Sequence, residues 1–245
     1  SPSRSAGSET RAPSKREAGS SSSSPLSSIS WTRLAIRSTK VSRASLAANE
    51  VLGALGLYTS RRAGDGTAGF YAATVFTAIV YAAAWWAWGN RRAFAGPGKA
   101  AELLRGSLVG ALLAGVFILG ALVVQHIPVL SEPASQLLDI PSKGGYALTL
   151  LVLVINGIGE ELVYRDVVPR QLRAHGQSVM QAGVWSTVIY ALVTISMGVP
   201  LLVFAAAVLG AMTYNEAART GRLYSPIAVH LTWSIGMLLI LPSVF

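Results

Sequence analysis

"YALTLLVLVINGIGEELVYRD", Tyr146 to Asp166, is the stretch on which the reading of this chain turns. It opens with ten uncharged, largely apolar residues. Two glutamates then stand side by side, and Arg165 follows four residues after the second. An ionised side chain in the middle of a membrane helix costs about 2.5–3.5 kcal/mol on insertion scales, so charges placed there call for a physical reason.

The rest of the chain says which solvent that helix meets. Of 245 residues, 52% are hydrophobic and 13% are charged. Soluble domains carry about 25% charged residues, and the mean hydropathy here is positive. An ordinary soluble domain is therefore excluded in favour of a polytopic membrane protein. There are no cysteines, which removes disulfides, thiolate zinc sites and cysteine nucleophiles. The net charge of +9 is unevenly spread. Residues 1–43 hold eight Lys/Arg and two Glu, so they carry +6 of it. That pattern bears on membrane orientation, and no nucleic-acid partner is expected.

The first 43 residues read as a disordered, basic, Ser-rich tail. "SAGSETRAPSKREAGSSSSSPLSS" offers almost nothing apolar to bury, so folding could not offset its entropy. It lacks the apolar centre of a secretory signal. A cytosolic tail is expected, with an organellar presequence as the alternative.

Apolar segments follow. Ala68 to Gly89 has no charge in 22 residues, roughly 33 Å of helix at about 1.5 Å per residue. Trp85, Trp86 and Trp88 close it as an interfacial anchor, before Arg91 and Arg92. Further spans are expected over Leu103–Val124, Gly145–Gly159, Val179–Met197, Pro200–Tyr214 and Pro226–Leu241. A polar loop with Pro128, Pro133 and Pro141 lies between the second and third of these. Leu46–Tyr58 is short and carries Asn49 and Glu50; it is a marginal span or an interfacial helix. If it spans, the loops holding Arg91, Arg165 and Arg219 share the side of the basic tail, as the positive-inside rule asks. The expected fold is all-α: a polytopic transmembrane bundle of six to seven spans, with residues 44–99 as N-terminal membrane helices. Ser225 followed by Pro226, and Pro200, look like helix starts.

On a helix, Glu161 and Arg165 share a face and can pair. Glu160 points about 100° away, alongside Asn156 and Tyr164. The carboxylates thus divide: one held ionised by arginine, the other less compensated and suited to take a proton from water. The structural alternative is that all three charges merely end the span, with a weak interfacial ion pair. Other polar groups occur in spans. His230 lies in the last, with Ser234 one turn later; Thr187, Tyr190 and Thr194 form a stripe at three-to-four spacing. These line a cavity or serve as interhelical hydrogen bonds. Asn215 and Glu216 read as interfacial, and His126 and His175 as solvated loop residues.

Taken together, these residues resemble a known family. "EELVYR", Glu160 to Arg165, is similar to the E-E-x-x-x-R motif of the CAAX protease and bacteriocin-processing family of intramembrane endopeptidases, which includes the type II CAAX prenyl proteases. "TGRLYSPIAVHLTWS", Thr220 to Ser234, is similar to that family's approach to its last catalytic histidine. The wording resembles an actinobacterial branch. The resemblance covers roughly residues 100–245 as a protease-like core and implies a bacterial plasma-membrane enzyme. It implies Glu160 as the base that activates water, Glu161 and Arg165 as its support, and His230 as a water-orienting or oxyanion-stabilising group. It implies a membrane-lipid environment, a peptide or lipid-modified protein as substrate, and no cofactor, with zinc a less favoured option. Two positions depart from the family pattern. Thr194 stands where a histidine is usual, with Tyr190 at the preceding aromatic position, and Ser234 stands where Asn or Asp is usual. These three are supporting cavity residues if the chain is a glutamate-type peptidase. The alternative is a catalytically weakened member acting as a membrane scaffold, binding or peptide-immunity protein.

Overall fold

The computed structural model describes residues 43–244; the tail read as disordered lies outside the described residues, apart from the backbone of Arg43. Helices carry nearly all of the described chain, and no strand occurs in it. They are α1 (Arg43–Ala63), α2 (Ala68–Trp88), α3 (Lys99–Val124), α4 (Pro128–Leu138), α5 (Ile140–Gly144), α6 (Tyr146–Leu162), α7 (Val168–Ala174), α8 (Val179–Thr194), α9 (Pro200–Thr220) and α10 (Tyr224–Ile240). A π-helical turn, Val163–Val167, joins α6 to α7 and makes one continuous rod from Tyr146 to Ala174. Six of these segments are long and apolar enough to cross a membrane: α2, α3, the α6–α7 rod, and those built on α8, α9 and α10. The chain is an all-α polytopic bundle. Its outer face is apolar, as lipid requires. Leu104, Leu108, Leu112 and Leu119 of α3 lie along one face of that helix and are all more than 60% exposed; water would not tolerate so continuous a patch.

Small residues set how closely the helices approach. Gly106, Gly110 and Ala114 recur every four residues along α3 and meet α10. A Cβ placed on Gly110 would stand 2.5 Å from the Val229 carbonyl oxygen, and one on Gly106 2.3 Å from that of Ser225. Backbone thus lies against backbone, the usual way membrane helices gain van der Waals contact.

The helix predicted over Leu46–Tyr58 is longer than expected. α1 has 21 residues, and it runs antiparallel along α2. Gly53 faces Tyr81, Gly56 faces Thr77, and Ala63 faces Gly69, while Leu46 packs near Tyr81 and Ala84. Although less apolar than the six spans, α1 shares the depth of α2 from end to end. Its polar Asn49 is buried and hydrogen-bonds Glu50 at 3.1 Å.

Two local expectations change. The stretch expected as a polar loop is mostly helical: Pro128 sits in the first turn of α4, and Leu137 and Ile140 face inward. Ser225 does not cap the last helix. It lies one residue inside α10, and its hydroxyl donates to Glu216 at 2.6 Å. Glu216, expected at the interface, is buried and also accepts two bonds from Arg105, at 2.9 and 3.0 Å. It ties α3, α9 and α10 together.

The bundle has two unlike ends. At one, residues 88–105, 166–178 and 216–224 gather eight Lys/Arg and three Asp/Glu. Arg222 there binds the carbonyls of Ala95 and Pro97 and the Glu102 carboxylate, and Tyr224 binds the Phe94 carbonyl. At the other, residues 59–67, 125–146, 195–200 and 240–244 hold three Lys/Arg and three Asp/Glu. We call these the basic and neutral ends.

Candidate active site

The candidate residues converge at mid-depth, between α6, α8 and α10. Glu161 is completely buried, and Arg165 and His230 are 4% and 5% exposed. His230 Nδ1 lies 2.8 Å from Glu161 Oε1, and Arg165 Nε lies 3.2 Å from Glu161 Oε2. Arg165 Nε also donates to Thr213 Oγ1 at 2.5 Å. Carboxylate, guanidinium and imidazole therefore form one compact cluster, with α9 bracing it through Thr213. A buried charge is tolerable in such a medium only when paired and hydrogen-bonded in this way.

Glu160 takes a different environment, as one step of about 100° around a helix requires. Its Oε1 accepts from Asn156 Nδ2 at 2.8 Å and its Oε2 accepts from the Tyr190 hydroxyl at 2.6 Å. His230 Nε2 stands 3.8 Å from Glu160 Oε2, too far for a direct hydrogen bond. With Nδ1 engaged by Glu161, that second ring nitrogen is aimed at the space beside Glu160. The ring of Tyr190 lies 4.8 Å from the Arg165 guanidinium carbon. One tyrosine thus touches both halves of the site, cushioning the cation with its ring and bonding Glu160 with its hydroxyl.

The π turn sits inside the motif. Its residues Val163 to Val167 are all buried. Asp166 accepts from the Trp85 indole at 2.8 Å, from the Asn90 backbone at 2.6 Å and from Arg170 at 2.7 Å. Ser186 donates to the Tyr164 carbonyl, a group that the wider turn exposes to α8. Single-turn π segments of this kind recur at functional sites because they re-aim side chains without ending the helix.

A cavity of about 260 Å³ lies against these groups. Glu160, Tyr190, Thr194, His230 and Ser234 all line it; Glu161 and Arg165 stand behind its wall. Asn156 lines it too, and its Oδ1 has no protein partner among the described residues. The sequence reading placed Asn156 beside Glu160 but gave it no part in the site; the four-residue spacing between them was the available signal. Thr194 differs from expectation in one respect. Its hydroxyl donates to the Tyr190 carbonyl of its own helix at 2.9 Å, so its proton is engaged. Ser234 has no hydrogen-bond partner among the described residues, and it faces the cavity. The remaining walls are apolar, including Val152, Leu153, Leu202 and Leu209. Among the described residues, no three His, Asp or Glu side chains are grouped so as to hold a metal ion.

Residues 142–236, which hold Asn156, Glu160, Glu161, Arg165, Tyr190, Thr194, His230 and Ser234, match the family described as type II CAAX prenyl endopeptidase Rce1-like. Over that region the chain is similar to this family. No curated protein and no solved structure matches it. The match covers α6 through most of α10, so both α1 and α2 stand outside it even though Tyr81 packs against Gly159 of the motif. A membrane-embedded protease of the CAAX type is what this family supports.

Proposed function

We propose that the chain is an intramembrane endopeptidase in which Glu160 activates a water molecule to hydrolyse a peptide bond of a membrane-associated or lipid-modified polypeptide. The observation that carries this reading is the asymmetry of the two glutamates: Glu161 is sealed into a charge cluster, while Glu160 faces a cavity with His230 Nε2 3.8 Å away. A water between those two atoms would give its proton to Glu160 while its oxygen attacks the substrate carbonyl carbon. The new C–O bond places negative charge on the carbonyl oxygen. The His230 Nε2 position, with Nδ1 held by Glu161, and the Ser234 hydroxyl are the groups within reach of that charge. Glu160 then passes its proton to the amide nitrogen as the C–N bond breaks, and the base is regenerated. Asn156 and Tyr190 hold the carboxylate in place. In this proposal Tyr190 supplies the hydroxyl that the engaged Thr194 does not, and no metal is needed. The apolar walls suit a lipid chain or apolar peptide segment beside the scissile bond.

The test is Glu160→Gln against wild type in reconstituted membranes, on a library of membrane-tethered peptides. The glutamine keeps the shape and one accepting oxygen but cannot act as a base, so product formation should fall about 10²–10⁴-fold. Equal product from both proteins would sink the glutamate mechanism. Cleavage that a chelator abolishes would overturn the metal-free form of it. No cleavage by wild type across a broad library would favour the scaffold reading.

A further inference from the structure

Glu50 takes no part in the proposed chemistry. It stands in α1, a helix outside the matched residues 142–236. Asn49 Nδ2 donates to its Oε1 at 3.1 Å, while its Oε2 is buried with no hydrogen bond among the described residues. A carboxylate at membrane depth is costly, so it calls for a donor and a reason. The donor at hand comes from the motif itself. Tyr164, which stands between Glu161 and Arg165 in the sequence, is completely buried, and its hydroxyl is a close neighbour of the Glu50 carboxylate. The same hydroxyl lies 3.2 Å from that of Tyr81 on α2. Proton counting then gives the order. Each phenol has one proton to give, and an ionised carboxylate only accepts. If Tyr164 donated to Tyr81, one phenol proton and one carboxylate oxygen would both go unmatched. Every group is satisfied when Tyr81 donates to Tyr164 and Tyr164 donates to Glu50.

From Tyr164 the contacts lead on to the cavity. Its ring lies tilted against that of Tyr190, with centroids 4.8 Å apart, and Tyr190 gives its hydroxyl to Glu160 Oε2 at 2.6 Å. Tyr81, Tyr164 and Tyr190 belong to one packed cluster with Val163, Val168 and Ala206, and in a close-packed core a shift of one ring is passed to its neighbour. We propose that Glu50 is a positioning residue of the active site. It anchors the Tyr164 hydroxyl, which holds the Tyr164 ring against Tyr190 and so fixes the hydroxyl that Tyr190 gives to Glu160. The consequence for hydrolysis rests on the proposed role of Glu160; the consequence for Tyr190 does not. On this reading α1 and α2 are part of the working site, although the family match does not reach them.

The test follows Tyr190 directly. The full chain is made with fluorinated tyrosine and reconstituted in lipid nanodiscs, and the fluorine NMR signal that disappears in Tyr190→Phe is assigned to Tyr190. Glu50→Leu should shift that signal. Glu50→Gln, whose amide oxygen still accepts from Tyr164, should leave it near its wild-type position. Leu52→Ala, on the lipid-exposed face of the same helix, should not move it. Tyr164→Phe removes the hydroxyl and keeps the ring; it should shift the signal as Glu50→Leu does, and it gives the answer if Glu50→Leu fails to fold. An unmoved Tyr190 signal in Glu50→Leu or Tyr164→Phe overturns the proposal, whether or not the chain cleaves anything. So does an equal shift in Leu52→Ala or Glu50→Gln. Where wild type cleaves, Glu50→Leu should lower kcat roughly tenfold with KM unchanged. In a Tyr190→Phe background, where the link to Glu160 is already cut, the same substitution should cost no further activity. A simple loss of packing would lower kcat in both backgrounds, and that result would overturn the positioning role.

Discussion

Glu160 and Glu161 differ by one position and by almost everything else. Glu161 answers to Arg165 and His230, so removing it strands a buried guanidinium. Glu161→Ala should lower unfolding stability by about 3–5 kcal/mol, measured as a loss of thermal midpoint in detergent. Replacing the pair together, Glu161→Met with Arg165→Leu, should recover most of that stability and none of the activity. The double variant thus separates support of the fold from support of the reaction. Tyr190→Phe removes one hydrogen bond to a charged acceptor, an interaction of about 1.5–3 kcal/mol. It should reduce kcat about tenfold to a hundredfold with little change in KM, and an unchanged kcat would remove Tyr190 from the mechanism. Much of this site was legible beforehand. Helical periodicity alone places Glu161 next to Arg165 and turns Glu160 away from both. The Tyr190–Glu160 bond was not legible, because it depends on which faces of α6 and α8 meet. Nor was the loss of the Thr194 proton to its own helix, since a threonine in a span can bond inward or across and its neighbours decide.

Among the helices, those with the strongest apolar runs were the easiest to read. α2 begins and ends within a residue of its expected limits, with Thr67 accepting from Phe70 N at 3.2 Å to start it. α1 was the hardest, because it breaks the apolar rule. Its central Asn49 and Glu50 are tolerable only where α2 and the motif helix shield them, and hydropathy is blind to a neighbour. The π turn was invisible for a related reason: its hydrogen-bond register follows from buried contacts around Val163 and Val167, not from local propensity. The contact of α3 with α10 offers a cleaner test of packing. Gly110→Val would drive two methyl groups toward the Val229 carbonyl, which lies 2.5 Å from where even the first side-chain carbon would stand. Overpacking of this kind costs about 1–3 kcal/mol. The thermal midpoint should drop, with α3 the first segment to gain hydrogen exchange.

At the scale of the whole molecule, a cavity that extends from Glu160 to Leu137 and Ile140 means that the route to Glu160 is separable from the chemistry there. Leu153 lies about halfway along the wall, two turns before Glu160 on the same helix. Leu153→Trp would narrow the passage while leaving Glu160, Tyr190 and His230 themselves unchanged. KM for long membrane-anchored substrates should rise severalfold, while short soluble peptides and thermal stability change little; a fall in kcat for both substrate classes would show that the wall and the reacting groups are not independent. The basic end performs the opposite task. It is held by Asp166, Glu102 and Glu216, each accepting from an arginine across or along the helices, so that end is fixed, while part of the cavity wall comes from the short helices α4 and α5.

The wide turn at residues 163–167 also makes the molecule vulnerable to a change that most measurements would pass over. A π segment carries one more residue per turn than an α-helix can seat. Deleting a single residue there would let the backbone settle into plain α form. The rod would remain helical, apolar and inserted, and its overall length would shrink by only about 1.5 Å. The helix beyond the turn would keep its facing, because the π turn had absorbed the extra residue, but side chains within the turn would be re-aimed by up to about 100° relative to Glu160. Asp166 would leave Trp85, and Arg165 would no longer sit beneath Tyr190. Such a protein would pass tests of expression, membrane integration and helix content while having lost the alignment on which its chemistry depends.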